Sequence, residues 1–203
     1  MAQKKSCTDA VDLYEDVLKC PGQKRLPGTR AYGWFIRRAY ITKLAEPQKE
    51  AATALKDYLV IKESHTLQAD KKWIRLEFIP DKSSMAPEAQ GEEGSKTMNN
   101  KATVVLPGTE EEQQAVASML LNDDVIVLVP QRNGKVRQFG DDAFTVNVTP
   151  SATTGASVTD ESNTTLEISV ACETMPPFYY GDIVTADGTY SGETCKLKTV
   201  SDV

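Results

Sequence analysis

Leu166, Ile168 and Val170 alternate with Glu167 and Ser169, the period-two pattern of a strand with one buried and one polar face. Alternation recurs at Phe144, Val146 and Val148, and again in "KKWIRLEFI" over 71–79. There Lys72, Ile74, Leu76 and Phe78 form the set expected to face the core. "AYGWFIRRAYITKL" (31–44), rich in aromatic and β-branched residues, predicts another strand with Trp34 and Ile36 on one face. "DYLVIKE" (57–63), joined to 71–79 through a turn near Ala69-Asp70, and "KATVVLPG" (101–108) read the same way.

"VIVLVPQRNGKVRQF" (125–139) places Asn133-Gly134 between two apolar arms. Two adjacent residues tolerant of positive φ predict a two-residue type I′ hairpin. Pro130 lacks an N–H for the ladder, which predicts an edge strand or a bulge at that point.

A helical period is clearest over 109–122. Thr109 and Glu112 have the spacing of a capping box, and acids crowd the positive end of the helix dipole. Ala115, Val116, Met119 and Leu120 are the expected apolar stripe, with Asn122 as terminal cap. "SCTDAVDLYEDVLKC" (6–20) predicts a short helix stopped by Pro21-Gly22, with an extended arm as the alternative. A last hairpin is expected around Ala186-Asp187-Gly188.

Two stretches carry no period. Residues 80–100, "PDKSSMAPEAQGEEGSKTMNN", read as a long loop, which inside a compact domain points to function or flexibility. Residues 150–163 offer only Val158 as a sizeable apolar side chain. The expected architecture is mainly β: a sandwich or barrel with one packed helix, a long inserted loop and extended terminal arms. The chain divides into a basic arm and first strand (1–43), a body (44–178) and a tail (179–203).

Composition agrees with one packed body, since 40% of the 203 residues are hydrophobic and 26% charged. No run approaches the roughly 18 apolar residues of a spanning helix, and acids among the first residues predict no export signal. Cys7, Cys20, Cys172 and Cys195 show no C-x-x-C pairing, so free thiols are expected, and Cys172 continues the apolar side of its strand. Charge is uneven. Residues 1–43 hold nine Lys/Arg against four Asp/Glu, whereas 44–203 hold fourteen against twenty-five. A basic arm on an acidic body suits nucleic acid, or the acidic body of a neighbouring copy in a head-to-tail arrangement.

Catalytic patterns are missing from the sequence. His65 has no G-x-S-x-G nucleophile to serve, "LPGT" lacks the lysine of a phosphate loop, and "DESN" (160–163) is too short for a calcium loop. No enzyme activity, cofactor or metal is expected. One binding alternative exists: Trp34, Trp73 and "FYY" (178–180) as an exposed aromatic platform for a ligand such as a carbohydrate, although strands favour such residues in cores.

From residue 71 to about 178 the order is strand, polar loop, strand, acidic helix, Asn-Gly hairpin, strand, polar link, strand. Within it, "GTEEEQQAVASMLLNDDVIVLVPQRNGKVRQFGD" followed by "TTGASVTDESNTTLEISV" resembles phage tail tube proteins, which are similar to the tubes of contractile injection systems. "CTDAVDLYEDVLKCPGQKRLPGTR" also resembles the opening of prophage-type proteins. The resemblance implies a virion protein of the tail, assembled in the host cytoplasm as hexameric rings that stack into a hollow tube for DNA. Its partners would be copies of itself, other tail proteins and DNA in passage. Lys82, Ser84, Met85, Glu92, Glu93 and Lys96 of the long loop, with Lys24, Arg25 and Arg30 of the arm, would make inter-ring or inter-subunit contacts. Glu167, Glu173, Asp160 and Glu161 are the candidates to face the lumen. A tail terminator, a connector or a capsid decoration protein is the alternative within the same class.

Overall fold

A computed structural model describes residues 13–19, 21–22 and 25–198. The first half contributes β1 (Tyr32–Arg37), β2 (Ile41–Lys43), β3 (Val60–Ile61), β4 (Thr66–Leu67), β5 (Ile74–Glu77), β6 (Ser84–Met85), β7 (Glu88–Gln90) and β8 (Thr97–Pro107). After α1 (Glu111–Leu120) come β9 (Val125–Pro130), β10 (Val136–Phe139), β11 (Asn147–Thr153), β12 (Asn163–Cys172), β13 (Phe178–Tyr179), β14 (Asp182–Thr185) and β15 (Gly188–Ser191). Mainly β, with several sheets and a single α-helix among the described residues, the chain has the expected class.

Two sheets form the sandwich. One runs β3-β13-β10-β9-β1-β5, and the other β11-β12-β8-β6 with β7 also on β8. Between them Phe35, Val127 and Phe139 meet Val104, Leu166 and Ile168, and Ala117 and Leu120 of α1 join the same cluster. The alternation at 164–172 is realised in full: Thr164, Leu166, Ile168, Val170 and Cys172 are buried, and the intervening side chains are not.

The six-stranded sheet is covered on both faces. Its second face carries Trp34, Ile36, Ile126 and Leu128, packed with Ile61, Trp73, Tyr179 and Ile183. β9 is therefore buried at every position, the physical reason it reads as an unbroken apolar run. Trp73 belongs to this second core, while Ile74 is 49% exposed and Lys72 is exposed. The set expected to face the core on 71–79 thus holds only for Leu76 and Phe78. The hairpin between 57–63 and 71–79 does not form, because β3 pairs in parallel with β13 and β5 pairs with β1.

Several local expectations are corrected. Gly134 has φ +94° and its N–H reaches Gln131 O at 2.9 Å, but Asn133 is not in the positive-φ region. The β9–β10 turn is thus a three-residue loop with glycine in the left-handed position, not a two-residue type I′ turn. Pro130 closes a central strand rather than an edge, and its carbonyl accepts from Arg30 N at 3.0 Å. At the strand's last residue the missing N–H costs a single ladder bond. The capping box is not made: Glu110 is the N-cap without a side-chain bond, and Thr109 Oγ1 lies 3.0 Å from Ser162 Oγ. The helix meets the sandwich through Val116, Ala117 and Leu120. Ala115 is exposed and Met119 is 60% exposed, and the C-cap is Leu121 rather than Asn122.

Residues 80–100 are not structureless. β6 and β7 pair with β8 in the registers Ser84↔Thr103 and Glu88↔Asn99, forming the sheet's edge. Their polar, Gly-containing sequence hides the strand because one side of this edge faces solvent. The expected 6–20 helix lies partly outside the described residues; over 13–19 no helix is formed. β1 is interior to its sheet, and the hairpin β14–β15, turning at Ala186-Asp187, supplies Ile183 to the second core. No helix among the described residues is long and apolar enough to cross a membrane.

Candidate assembly surfaces

The five-stranded sheet turns a polar face outward. Glu167 lies on it in a cross-strand row with Thr149, Thr103 and Ser84, and the next row holds Asn147, Ser169 and Lys101. Hydroxyl and amide side chains therefore surround one carboxylate, and the Lys101 charge is taken up by Glu88 across the edge hairpin. The two edges differ in sequence. β11 is one, and β6 with β7 is the other.

Strand directions give the molecule two ends. At the first, Arg132 N bonds Gly28 O, the Arg132 guanidinium pairs with Asp81, and the adjacent Lys82 pairs with Glu161 in the β11–β12 connection. The chain enters the body here: residues 25–28 are exposed before Thr29 bridges to Gln131. At the opposite end Cys172 is registered with Met98, and the turn 91–96 between β7 and β8 projects beyond them. β12 spans ten residues between the ends, on the order of 30 Å.

The candidate residues distribute over these surfaces. Glu92, Glu93 and Lys96 sit exposed in the 91–96 turn. Ser84 is exposed on the polar face, whereas Met85 points inward against the sandwich core. Arg25 is exposed on the arm, but Arg30 is tied into the body through its Nη1, which donates to Cys195 O at 3.2 Å. Lys24 lies outside the described residues. Of the acids, only Glu167 stands on the sheet face. Asp160 Oδ2 accepts the backbone N–H groups of Ala156 (2.9 Å) and Ser157 (2.8 Å), which hold its carboxyl below the usual carboxylate range. Glu161 pairs with Lys82, so a proposed inter-ring residue and a proposed lumen residue belong to one intramolecular ion pair. Glu173 meets Lys49 at 2.9 Å at the far end, and that hydrogen bond lowers its pKa.

The aromatic platform is overturned. Trp34 and Trp73 are 1% and 3% exposed, and Tyr179 is fully buried, so these rings are core. His65 is also interior, where its Nδ1 accepts from Ala45 N and its Nε2 faces Gln138. A groove of about 630 Å³ opens at the second end between 46–51, 140–144 and 172–177. Sequence reasoning did not find it, because its three walls are far apart in the chain and none carries a motif.

No protein-family model matches this chain, and neither does a curated protein or a solved structure.

Proposed function

We propose that this chain is a structural subunit of a phage-type tail tube, associating side by side into rings that stack into a hollow conduit for DNA. The observation that carries the reading is the five-stranded sheet: apolar within, polar and sparsely charged without, and open at two dissimilar edges. A monomer is endangered by open edges, but a ring uses them when one edge pairs with the other edge of the next copy. Such pairing would join the polar faces into a continuous wall. Hydroxyls and amides around Glu167 offer DNA phosphates no cluster of cations to hold them, so the polymer slides. The turn-and-strand motifs of residues 108–141 and 153–170, which resemble those of tail tube proteins, fit the same reading.

Negative-stain electron microscopy of the purified chain at low and high concentration tests it. Rings or hollow tubes of uniform diameter are the expected result, and a monodisperse monomer at every concentration contradicts it. Rings that never stack would instead fit a terminator or connector.

A further inference from the structure

We infer that residues 44–58 form an acid-responsive strap, latched by His65 over the groove at the second end and released when the imidazole takes up a proton. The device is complete within one copy and needs no assembly.

The strap links β2 to β3 and is lightly held. It contains two single 3-10 turns, Lys49–Ala51 and Leu55–Asp57, and pairs with no strand among the described residues. Backbone bonds within it are local, as from Ala51 N to Gln48 O and from Tyr58 N to Leu55 O. Its buried side chains are Ala45 and Ala52, which offer little apolar area, with Leu44 packed at its root. Polar ties fasten it to the body: the Ala45 N–H is donated to His65 Nδ1 at 2.9 Å, and Lys49 meets Glu173 at 2.9 Å.

His65 serves both walls of the groove. Through Nδ1 it holds Ala45, from which the wall 46–51 leads off. Through Nε2 it holds Gln138, whose amide donates to Gly140 O at the root of the wall 140–144. The two sides respond differently to a proton. A neutral ring accepts at one nitrogen and donates at the other, whereas an imidazolium donates at both. Gln138 Oε1 accepts in either state. On the other side an Nδ1–H would face the Ala45 N–H, donor against donor, and both residues are buried away from water. The Ala45 wall yields while the Gln138 wall stays.

The surrounding groups do not rescue a closed imidazolium. Arg38 disfavours it and is itself engaged with Asp142. Glu63 is paired with Lys43, and Asp182 with Lys198. Tyr179, stacked on the ring, is neutral, with burial pushing its pKa up to about 12, and Trp73 beside it carries no charge. Release returns the ring to water and to its ordinary pKa of about 6.5. Each pH unit below that value therefore favours the released strap about tenfold. The Lys49–Glu173 pair stays ionised through this window, because its hydrogen bond holds Glu173 below the ordinary carboxylate range. An exposed pair by itself holds little, so the histidine decides.

Cys172 reports the release. It lines the groove with the Lys49 charge acting on its thiol, whereas buried Cys195 belongs to the second core. Labelling of the full chain with dithiodipyridine, which reacts with thiols in acid, tests the strap between pH 7 and pH 4.5. Sites are mapped by mass spectrometry, and each rate is divided by that of glutathione at the same pH. A rise of about a hundredfold at Cys172 from pH 6.5 to pH 4.5 is expected, with Cys195 unchanged. A parallel rise at both cysteines would mean global unfolding, and no rise at Cys172 would mean a fixed strap; either overturns the inference. His65→Gln, whose side-chain oxygen can take the Ala45 N–H without titrating, should give a flat profile at Cys172. A rise that persists in that variant sinks the latch. If the variant does not fold, the contrast between Cys172 and Cys195 in the native chain decides without it.

Discussion

His65 Nε2 lies 2.9 Å from Gln138 Oε1 in a site where both residues are buried. The tautomer follows from the partners. Nδ1 accepts the Ala45 N–H at 2.9 Å, so the proton sits on Nε2 and is donated to Gln138, whose amide nitrogen in turn donates to Gly140 O. Tyr179 stacks on the imidazole at 4.6 Å and takes the His65 backbone N–H on its hydroxyl. One neutral histidine thereby joins β10, β13 and the segment around Ala45.

Acid should weaken the fold through this residue. Burial, with the nearby Arg38 charge adding to it and the Gln138 bond opposing, pushes the His65 pKa down from 6.5 to about 4. The unfolded chain then takes up the proton first as pH falls. The stabilisation is complete above pH 6.5 and is lost between there and pH 4, about 3 kcal/mol in all. Urea midpoints measured across that window should fall in the native protein and fall less in His65→Gln. Parallel curves would contradict the burial of a neutral imidazole.

Leu166 and Glu167 are neighbours with opposite fates. Leu166 is 1% exposed in the sandwich core, whereas Glu167 points outward. Leu166→Ala should cost about 3 kcal/mol by removing buried methyl groups and leaving a cavity, and Glu167→Ala less than about 0.5 kcal/mol. Equilibrium denaturation of both variants checks the register of the whole strand, since a slip by one residue would exchange the two results.

Cys172 and Cys195 should resist alkylation. Both are buried, and burial raises both thiol pKa values, Cys172 to about 12 with the neighbouring Asp141 adding to the effect. Thiolate is the reactive form. Mass-spectrometric mapping after iodoacetamide at pH 8 should find these two positions unmodified in the native protein and modified in urea. Rapid native labelling of Cys172 would show that β12 is not held as described.

The 91–96 turn should be dispensable for folding. Gln90 and Thr97 are directly paired across it, and residues 91–96 are all exposed. Replacing them by Asn-Gly, the preferred two-residue hairpin sequence, should leave the thermal midpoint within a few degrees while impairing stacking of rings. A large loss of thermal stability would show that the turn supports the core.

The amino-acid sequence by itself determined the features that depend on neighbours along the chain. Period-two alternation at 144–148 and 164–172 marked strands with one wet face, and the glycine of "RNG" marked a reversal, because these patterns express local geometry. The absence of motif chemistry around His65 was legible for the same reason. Only the tertiary structure decided what covers each face. Trp34 and Trp73 are core because Ile41 of β2, Ile183 of β14 and Tyr190 of β15 close over the second face of the sheet, a covering contributed by segments far apart in the chain. Pro130 ends a central strand because β1 and β10 flank it, and 80–100 becomes an edge because β8 offers its hydrogen bonds. Burial and strand order are properties of the packed chain, and no local window contains them.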